Sequence, residues 1–153
     1  MPETARTNAP SRSQLTRSDA GFLLAKAAQR WNELLASRFS IAGFDEVRPS
    51  FGSILIPLYE EDGLRMGELA RRARLSKQTV TTQVRAVERA GLVSRTPDPV
   101  DSRATRVELT ERAREFRPVA ETTLEGMERL LASAVGGPEL TRLRRALRNI
   151  IDL

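Results

Sequence analysis

The stretch SKQTVTTQVRAVERAGLV, from Ser76 to Val93, puts a donor-rich, cationic row of side chains on one side of a predicted helix. Val80, Val84 and Val87 recur at the spacing of a buried helical stripe. Ser76 stands where an N-cap belongs, and Gly91 where a helix ends. Turning about 100° per residue from Val80 brings Gln78, Thr82, Arg85 and Arg89 to the opposite face, which carries no acid. Amides, hydroxyls and guanidiniums in such a row can hydrogen-bond base edges in a groove wide enough for a helix, or grip phosphates. Ser76, Lys77, Gln78, Thr79, Thr81, Thr82, Arg85 and Arg89 are therefore the candidate contact residues of this element. A merely solvated face has a similar composition, so the neighbouring sequence must decide between the two readings.

The neighbours favour the first. Met66–Leu75 (MGELARRARL) reads as a short helix with Leu69, Ala70 and Ala73 on one side, joined by a tight turn to the helix after it, which is a helix-turn-helix pattern. Beyond Gly91, Leu92–Thr96 alternates, Pro97, Asp98 and Pro99 form a turn cluster, and Ala104–Leu109 alternates again. That is a two-stranded hairpin whose loop carries Asp101, Arg103 and Arg106. A helix-turn-helix followed by a hairpin is a winged helix, in which the wing reaches the sugar-phosphate backbone or a minor groove beside the reading helix. Arg95, Asp101, Arg103 and Arg106 complete the candidate nucleic-acid contacts. Asp101 is an unexpected acid at such a tip unless it holds Arg103 or the loop backbone in place, and composition alone favours a solvated loop charge. Residues 65–114 hold 12 basic and 6 acidic residues, net +6, while the whole chain is +5, so everything else sums to −1. The positive field is concentrated in the reading lobe.

The elements that must position this lobe are helical. Asp19–Ala42 places Leu23, Leu24, Ala27, Trp31, Leu34, Leu35 and Ile41 at helical spacing. A second helix is predicted from Pro49 through Phe51, Ile54, Leu55 and Leu58, with Pro57 kinking or shortening it. Thr110 can cap a long helix with Phe116, Ala120, Leu124, Met127, Leu131 and Ala134 on one stripe, kinked or broken for a turn at Pro118. After Gly136-Gly137-Pro138 a last helix carries Leu140, Leu143, Leu147, Ile150 and Ile151. The predicted class is mainly α with a small β-hairpin. Its apolar stripes are more than a lobe of this size can cover alone, which points to a homodimer. Residues 1–17, rich in Ser, Thr, Pro and Arg, read as a flexible arm.

Composition narrows the chemistry. The 153 residues contain neither Cys nor His, which removes disulfides, thiol redox sensing and the usual metal ligands and general base. The Ser, Thr and carboxylate residues form no recognisable catalytic spacing, so no enzyme activity, cofactor or metal is expected. Of 25 basic residues 23 are Arg, whose planar fork suits phosphates and guanine edges. No signal-peptide core or membrane-length apolar run occurs, and the cytoplasm is the default location.

The run MGELARRARLSKQTVTTQVRAVERAGLVSRTPDPVDSRATRVELTERARE resembles the DNA-binding lobe of the MarR (multiple antibiotic resistance) family of transcriptional regulators. The specific part is the wing, DPVDSRATRVELT, with its Asp-x-Arg followed by Val-x-Leu-Thr; ELA, LSKQTV and AGLV fit as well. Gln83, Ala113 and Gly67 depart from the residue types usual at those places. The resemblance implies a winged helix-turn-helix lobe over residues 48–110, with dimerisation helices over 18–47 and 111–153, all in one domain from 18 to 153. It implies a cytoplasmic homodimer that binds a pseudo-palindromic operator in double-stranded DNA as a ligand-responsive repressor. A small aromatic or phenolic effector would sit between the dimer helices and the lobe, with Trp31, Phe39, Phe51 and Tyr59 as candidate pocket residues. The alternative is a sequence-neutral architectural DNA-binding protein, because a lobe of net +6 attracts any duplex through its phosphates.

Overall fold

The computed structural model describes residues 17–153; the arm expected over residues 1–17 lies, up to residue 16, outside them. The described chain is mainly helical with one small antiparallel sheet, as the sequence pattern predicts. It runs α1 (Ala20–Ile41), a 3-10 turn (Pro49–Phe51), α2 (Gly52–Glu60), β1 (Leu64–Arg65), α3 (Met66–Ala73), α4 (Lys77–Arg89), β2 (Val93–Pro97), β3 (Thr105–Leu109), α5 (Glu111–Val135) and α6 (Gly137–Ile151). Two compact units are distinguished, divided between Trp31 and Asn32. In the first, Asp19 Oδ1 accepts from the Phe22 amide at 3.1 Å and starts α1, and Phe22, Leu23 and Leu24 are exposed.

The second unit is built around a core of Ile54, Leu58, Leu69, Val80, Val84, Val87, Leu92 and Val107, each almost fully buried. The three valines are the stripe predicted for α4, so that face of the helix is occupied by packing and the opposite one is left outward. Arg48, preceding a proline, is extended, and Pro49 opens a 3-10 turn before α2 starts at Gly52. Pro57 sits inside α2, which ends three residues later. α3 stops at Ala73, two residues earlier than the apolar pattern suggests. Arg74 takes the left-handed conformation (φ 53°), which lets the Leu75 amide reach the Ala70 carbonyl at 3.0 Å and turns the chain toward α4.

Both ends of α4 follow its sequence. Ser76 Oγ accepts from the Thr79 amide at 3.1 Å. Gly91, at φ 80°, allows the Leu92 amide to close on the Val87 carbonyl at 3.1 Å and delivers the chain into β2.

The sheet departs from the two-stranded expectation. β1 pairs with the far side of β3, giving three strands in the order β1-β3-β2. Two residues are too few to show alternation, so β1 leaves no periodic signal. Its register places Leu64 opposite Val107 and Arg65 opposite Arg106; β2 lies on the other side, with Arg95 opposite Val107 and Thr96 opposite Arg106.

Thr110 caps α5 by accepting from the Ala113 amide, and its hydroxyl donates to the Gly91 carbonyl at 2.6 Å, fastening the start of α5 to the end of α4. α5 then runs unbroken through Pro118, where the sequence suggests a kink or a one-turn break. Pro118 and Arg114 are both exposed, so the carbonyl deprived of an amide donor lies where water reaches it. Phe116 packs edge-on against Phe39 at 4.9 Å between centroids and lies 5.1 Å from Phe44. Arg112 binds Glu46 and the Gly43 carbonyl while lying 3.9 Å from the Phe44 centroid. In α6 only Leu140 is buried; Leu143, Ile150 and Ile151 face outward. Among the described residues no helix is long and apolar enough to cross a membrane.

Candidate nucleic-acid interface

The outward face of α4 carries the predicted residues together. Ser76, Lys77, Gln78, Thr79, Thr82, Arg85 and Arg89 are exposed and Thr81 is half-buried. The hydroxyls are partly committed. Ser76 Oγ donates to Thr79 Oγ1, and Thr81 and Thr82 donate to the carbonyls of Lys77 and Gln78 at 2.8 and 3.1 Å. With its proton turned back to the helix, Thr82 presents acceptor lone pairs and a methyl group outward. Gln83, beside the valine stripe, has its Oε1 buried without a hydrogen-bond partner, a cost that an apolar residue at this position would not carry.

The wing is organised by a residue that the sequence reading leaves as a turn former. Asp98 is the buried charged residue of the described chain, with a side chain fully removed from solvent. Its Oδ2 accepts from Arg65 Nε at 2.9 Å and Arg106 Nε at 2.8 Å. Its Oδ1 accepts from Arg65 Nη2 at 3.0 Å and from the amides of Val100 and Asp101, each at 2.9 Å. The hydrogen bonds from Arg65, from the Asp101 amide and from Arg106 hold this carboxyl far below the ordinary aspartate range. Arg106, expected in the wing loop, lies instead in β3, where its guanidinium is committed to Asp98. Arg65, Asp98 and Glu88 are the residues of this region that local sequence reasoning missed. Only a pairing between β1 and β3 makes the first two meaningful.

At the tip, Asp101 contacts Arg103. Its Oδ1 accepts from both the Arg103 amide and Arg103 Nε at 3.1 Å, while the Arg103 side chain stays 90% exposed. Arg95, on β2, lies against Glu88 of α4, with Nε 2.6 Å from Oε2. Behind the reading face Glu68 accepts from Arg71 and Arg72, hydrogen bonds that lower its pKa to about 2.

These pairs leave the field where a polyanion would meet it. Of the 12 basic residues between 65 and 114, nine (Arg65, Arg71, Arg72, Arg74, Arg95, Arg103, Arg106, Arg112 and Arg114) form ion pairs with carboxylates. The remaining three are Lys77, Arg85 and Arg89, all on α4 and none with an ion pair among the described residues. The aromatic candidates are placed differently. Phe39 and Phe51 are core residues, and the Tyr59 hydroxyl donates to the Ala113 carbonyl at 2.6 Å, its burial pushing the phenol up to about 12. Trp31 is half-buried and lies in the other unit. No ring contact joins Phe39, Phe51 and Tyr59 among the described residues.

A short helix, a tight turn, an outward-facing second helix and an antiparallel wing define a winged helix-turn-helix. Residues 49–105 match the model of the MarR family, the family that the wing motif resembles. A relative from Bacillus subtilis (strain 168), the uncharacterized HTH-type transcriptional regulator YdgJ, is 28% identical over 104 residues, and the match spans 63% of each chain. The solved PcaV transcriptional regulator from Streptomyces coelicolor, in complex with its natural ligand, superposes with a TM-score of 0.77 at 20% identity, covering 92% of this chain and 98% of that one. The transcriptional repressor CouR, bound to a 23-mer DNA duplex, gives a TM-score of 0.73 at 24% identity over 91% of this chain and 99% of its own. At these identities the structural likeness is one of fold.

Asp98 binds its proton in the folded chain only far below the ordinary aspartate value of 3.8, so its contribution to stability is present above that value and is lost as the pH falls beneath it. Asp98→Asn should therefore melt several degrees below the wild type at neutral pH, with the gap narrowing as the pH is lowered from about 5 toward 2. Melting curves across that range check it, and a constant gap would contradict it.

Proposed function

We propose that this protein is a sequence-specific DNA-binding transcriptional regulator, acting as a homodimer on a pseudo-palindromic operator as a ligand-responsive repressor. The observation that carries the reading is the confinement of the unpaired cations of the lobe to α4, where all three are exposed and Arg85 and Arg89 share a face with Gln78 and Thr82. In this reading α4 enters the major groove. Gln78 and Thr82 read base edges, Lys77, Arg85 and Arg89 hold phosphates, and Arg103 enters the adjacent minor groove. CouR bound to a DNA duplex on a similar fold supports the docking, and PcaV crystallised with its natural ligand supports a response to a small molecule.

The dimer reading rests on apolar side chains left outward on the terminal helices: Phe22, Leu23 and Leu24 on α1, and Leu143, Ile150 and Ile151 on α6. A second winged helix related by a two-fold axis would double the contacts and impose the palindrome. The effector reading receives less from this chain, because Phe39, Phe51 and Tyr59 are engaged in packing or hydrogen bonding.

Selection of bound fragments from the parent genome tests the function. A shared motif with two inverted half-sites supports it, and fragments without a common motif would favour sequence-neutral binding. Leu147→Asp places a charge among the outward apolar residues of α6 and should abolish both dimerisation and tight operator binding. Sedimentation that shows an unchanged dimer, or a wild type that is monomeric at micromolar concentration, would refute this. Arg103→Ala should weaken operator binding and lower the salt slope by about one phosphate equivalent per subunit. Asp101→Ala should also weaken binding although it removes an acid, because the Arg103 fork then loses its holder. Binding as tight as that of the wild type, measured at several salt concentrations, would assign Asp101 no orienting role.

A further inference from the structure

Between the end of α4 and the wing lies an open groove of about 310 Å³, whose lining includes Glu88, Arg95, Thr96, Ser102 and Thr105. Glu88 is the sole acid within Lys77–Arg89. It reaches across the groove to Arg95, with Nε 2.6 Å from Oε2 and Nη2 3.4 Å from Oε1. We propose that Glu88 is an internal competitor for the DNA backbone: it occupies Arg95 in the free protein, and a phosphate of bound duplex takes Arg95 from it. This rests on the duplex-binding reading above.

Three observations support the exchange. The first is position. A helix in a major groove and a wing in the neighbouring minor groove are separated by one sugar-phosphate strand, so that strand must cross the space between α4 and the hairpin. The lining of the groove includes Thr96, Ser102 and Thr105 beside the guanidinium of Arg95. The second is chemistry. Carboxylate and phosphate offer a guanidinium the same pair of acceptor oxygens, so one can replace the other without moving the fork far. The third is the quality of the pair. One of its contacts is long and both side chains are 36% exposed, so water screens it and its loss costs little. Asp98 and Asp101, in the wing, are tied more firmly. Asp98 is fully buried under five donors, and Asp101 also holds the Arg103 amide. The Arg95 hydrogen bond keeps the Glu88 pKa low, so the competitor is a carboxylate at neutral pH.

The exchange predicts a particular salt dependence. When Arg95 moves to a phosphate, the counterion that leaves the DNA is matched by a cation gathered at Glu88, and Arg95 adds almost nothing to the slope. Glu88→Gln removes that offset. Its slope of log affinity against log salt should steepen by about 0.9 per subunit, a further loss of roughly 3.5-fold per subunit between 50 and 200 mM salt. The same substitution in an Arg95→Gln background should leave the slope unchanged. The titrations use the full chain with the selected operator and with a random duplex, and circular dichroism monitors the fold. Equal steepening in the Arg95→Gln background would reveal a general charge effect and overturn the proposal, as would a Glu88→Gln slope equal to that of the wild type. On the wild type itself, the Arg95 Nε–H resonance should shift when duplex is added, and an unmoved resonance in a saturated complex would also overturn it. A wild type that binds no duplex would end the regulatory reading itself, whereas one that binds with Arg95 unlinked to salt and to Glu88 would end only this inference.

Discussion

Two guanidiniums, those of Arg65 and Arg106, stand opposite each other across β1 and β3, and the buried carboxylate of Asp98 lies between them. Like charges directly opposite in a sheet repel, so the register of β1 on β3 depends on that carboxylate. β1 leads directly into α3, while Asp98 belongs to the wing. One side chain therefore ties the wing to the strand from which the helix-turn-helix starts. Through the amides of Val100 and Asp101 the same carboxylate also fixes the first turn of the wing loop, so that Asp101 is in place to hold Arg103.

The lobe uses ion pairs of two kinds. Buried or multiply bonded pairs, those of Asp98 above all, set geometry, and removing one partner would strand a charge out of water. Exposed pairs such as Arg95 with Glu88 contribute little to stability and are free to be exchanged. Together they consume nine of the twelve cations between 65 and 114 and leave three, all exposed, on one helix. The valine stripe supplies the complementary constraint. Because Val80, Val84 and Val87 are fully packed, α4 cannot rotate, and Gln78, Thr82, Arg85 and Arg89 must face outward.

How much of this was legible in the sequence follows from the range of each interaction. The cap at Ser76, the glycine turn at Gly91, the valine stripe and the Asp101–Arg103 pair all involve residues close in the chain, and each was readable from spacing. The MarR-type wing motif lies in the same category. Asp98 was readable only as a turn residue between two prolines, because its main partner, Arg65, is 33 positions away on a strand too short to show a pattern. Arg106 was misplaced in the loop for the same reason: its role depends on the third strand. Pro118 was expected to break or kink α5, and the helix runs on because the lost hydrogen bond falls in an exposed stretch. The aromatic residues offered for a ligand pocket were ambiguous by nature, and Phe39 shows the outcome by packing edge-on against Phe116.

The claim that a buried carboxylate fixes the wing is tested most directly by amide hydrogen exchange in the free protein. The amides of Val100 and Asp101 both donate to Asp98 Oδ1, inside a loop that would otherwise be open to water. The account predicts that both exchange far more slowly than the neighbouring amide of Ser102. Exchange of all three at the rate of an unstructured chain would contradict it.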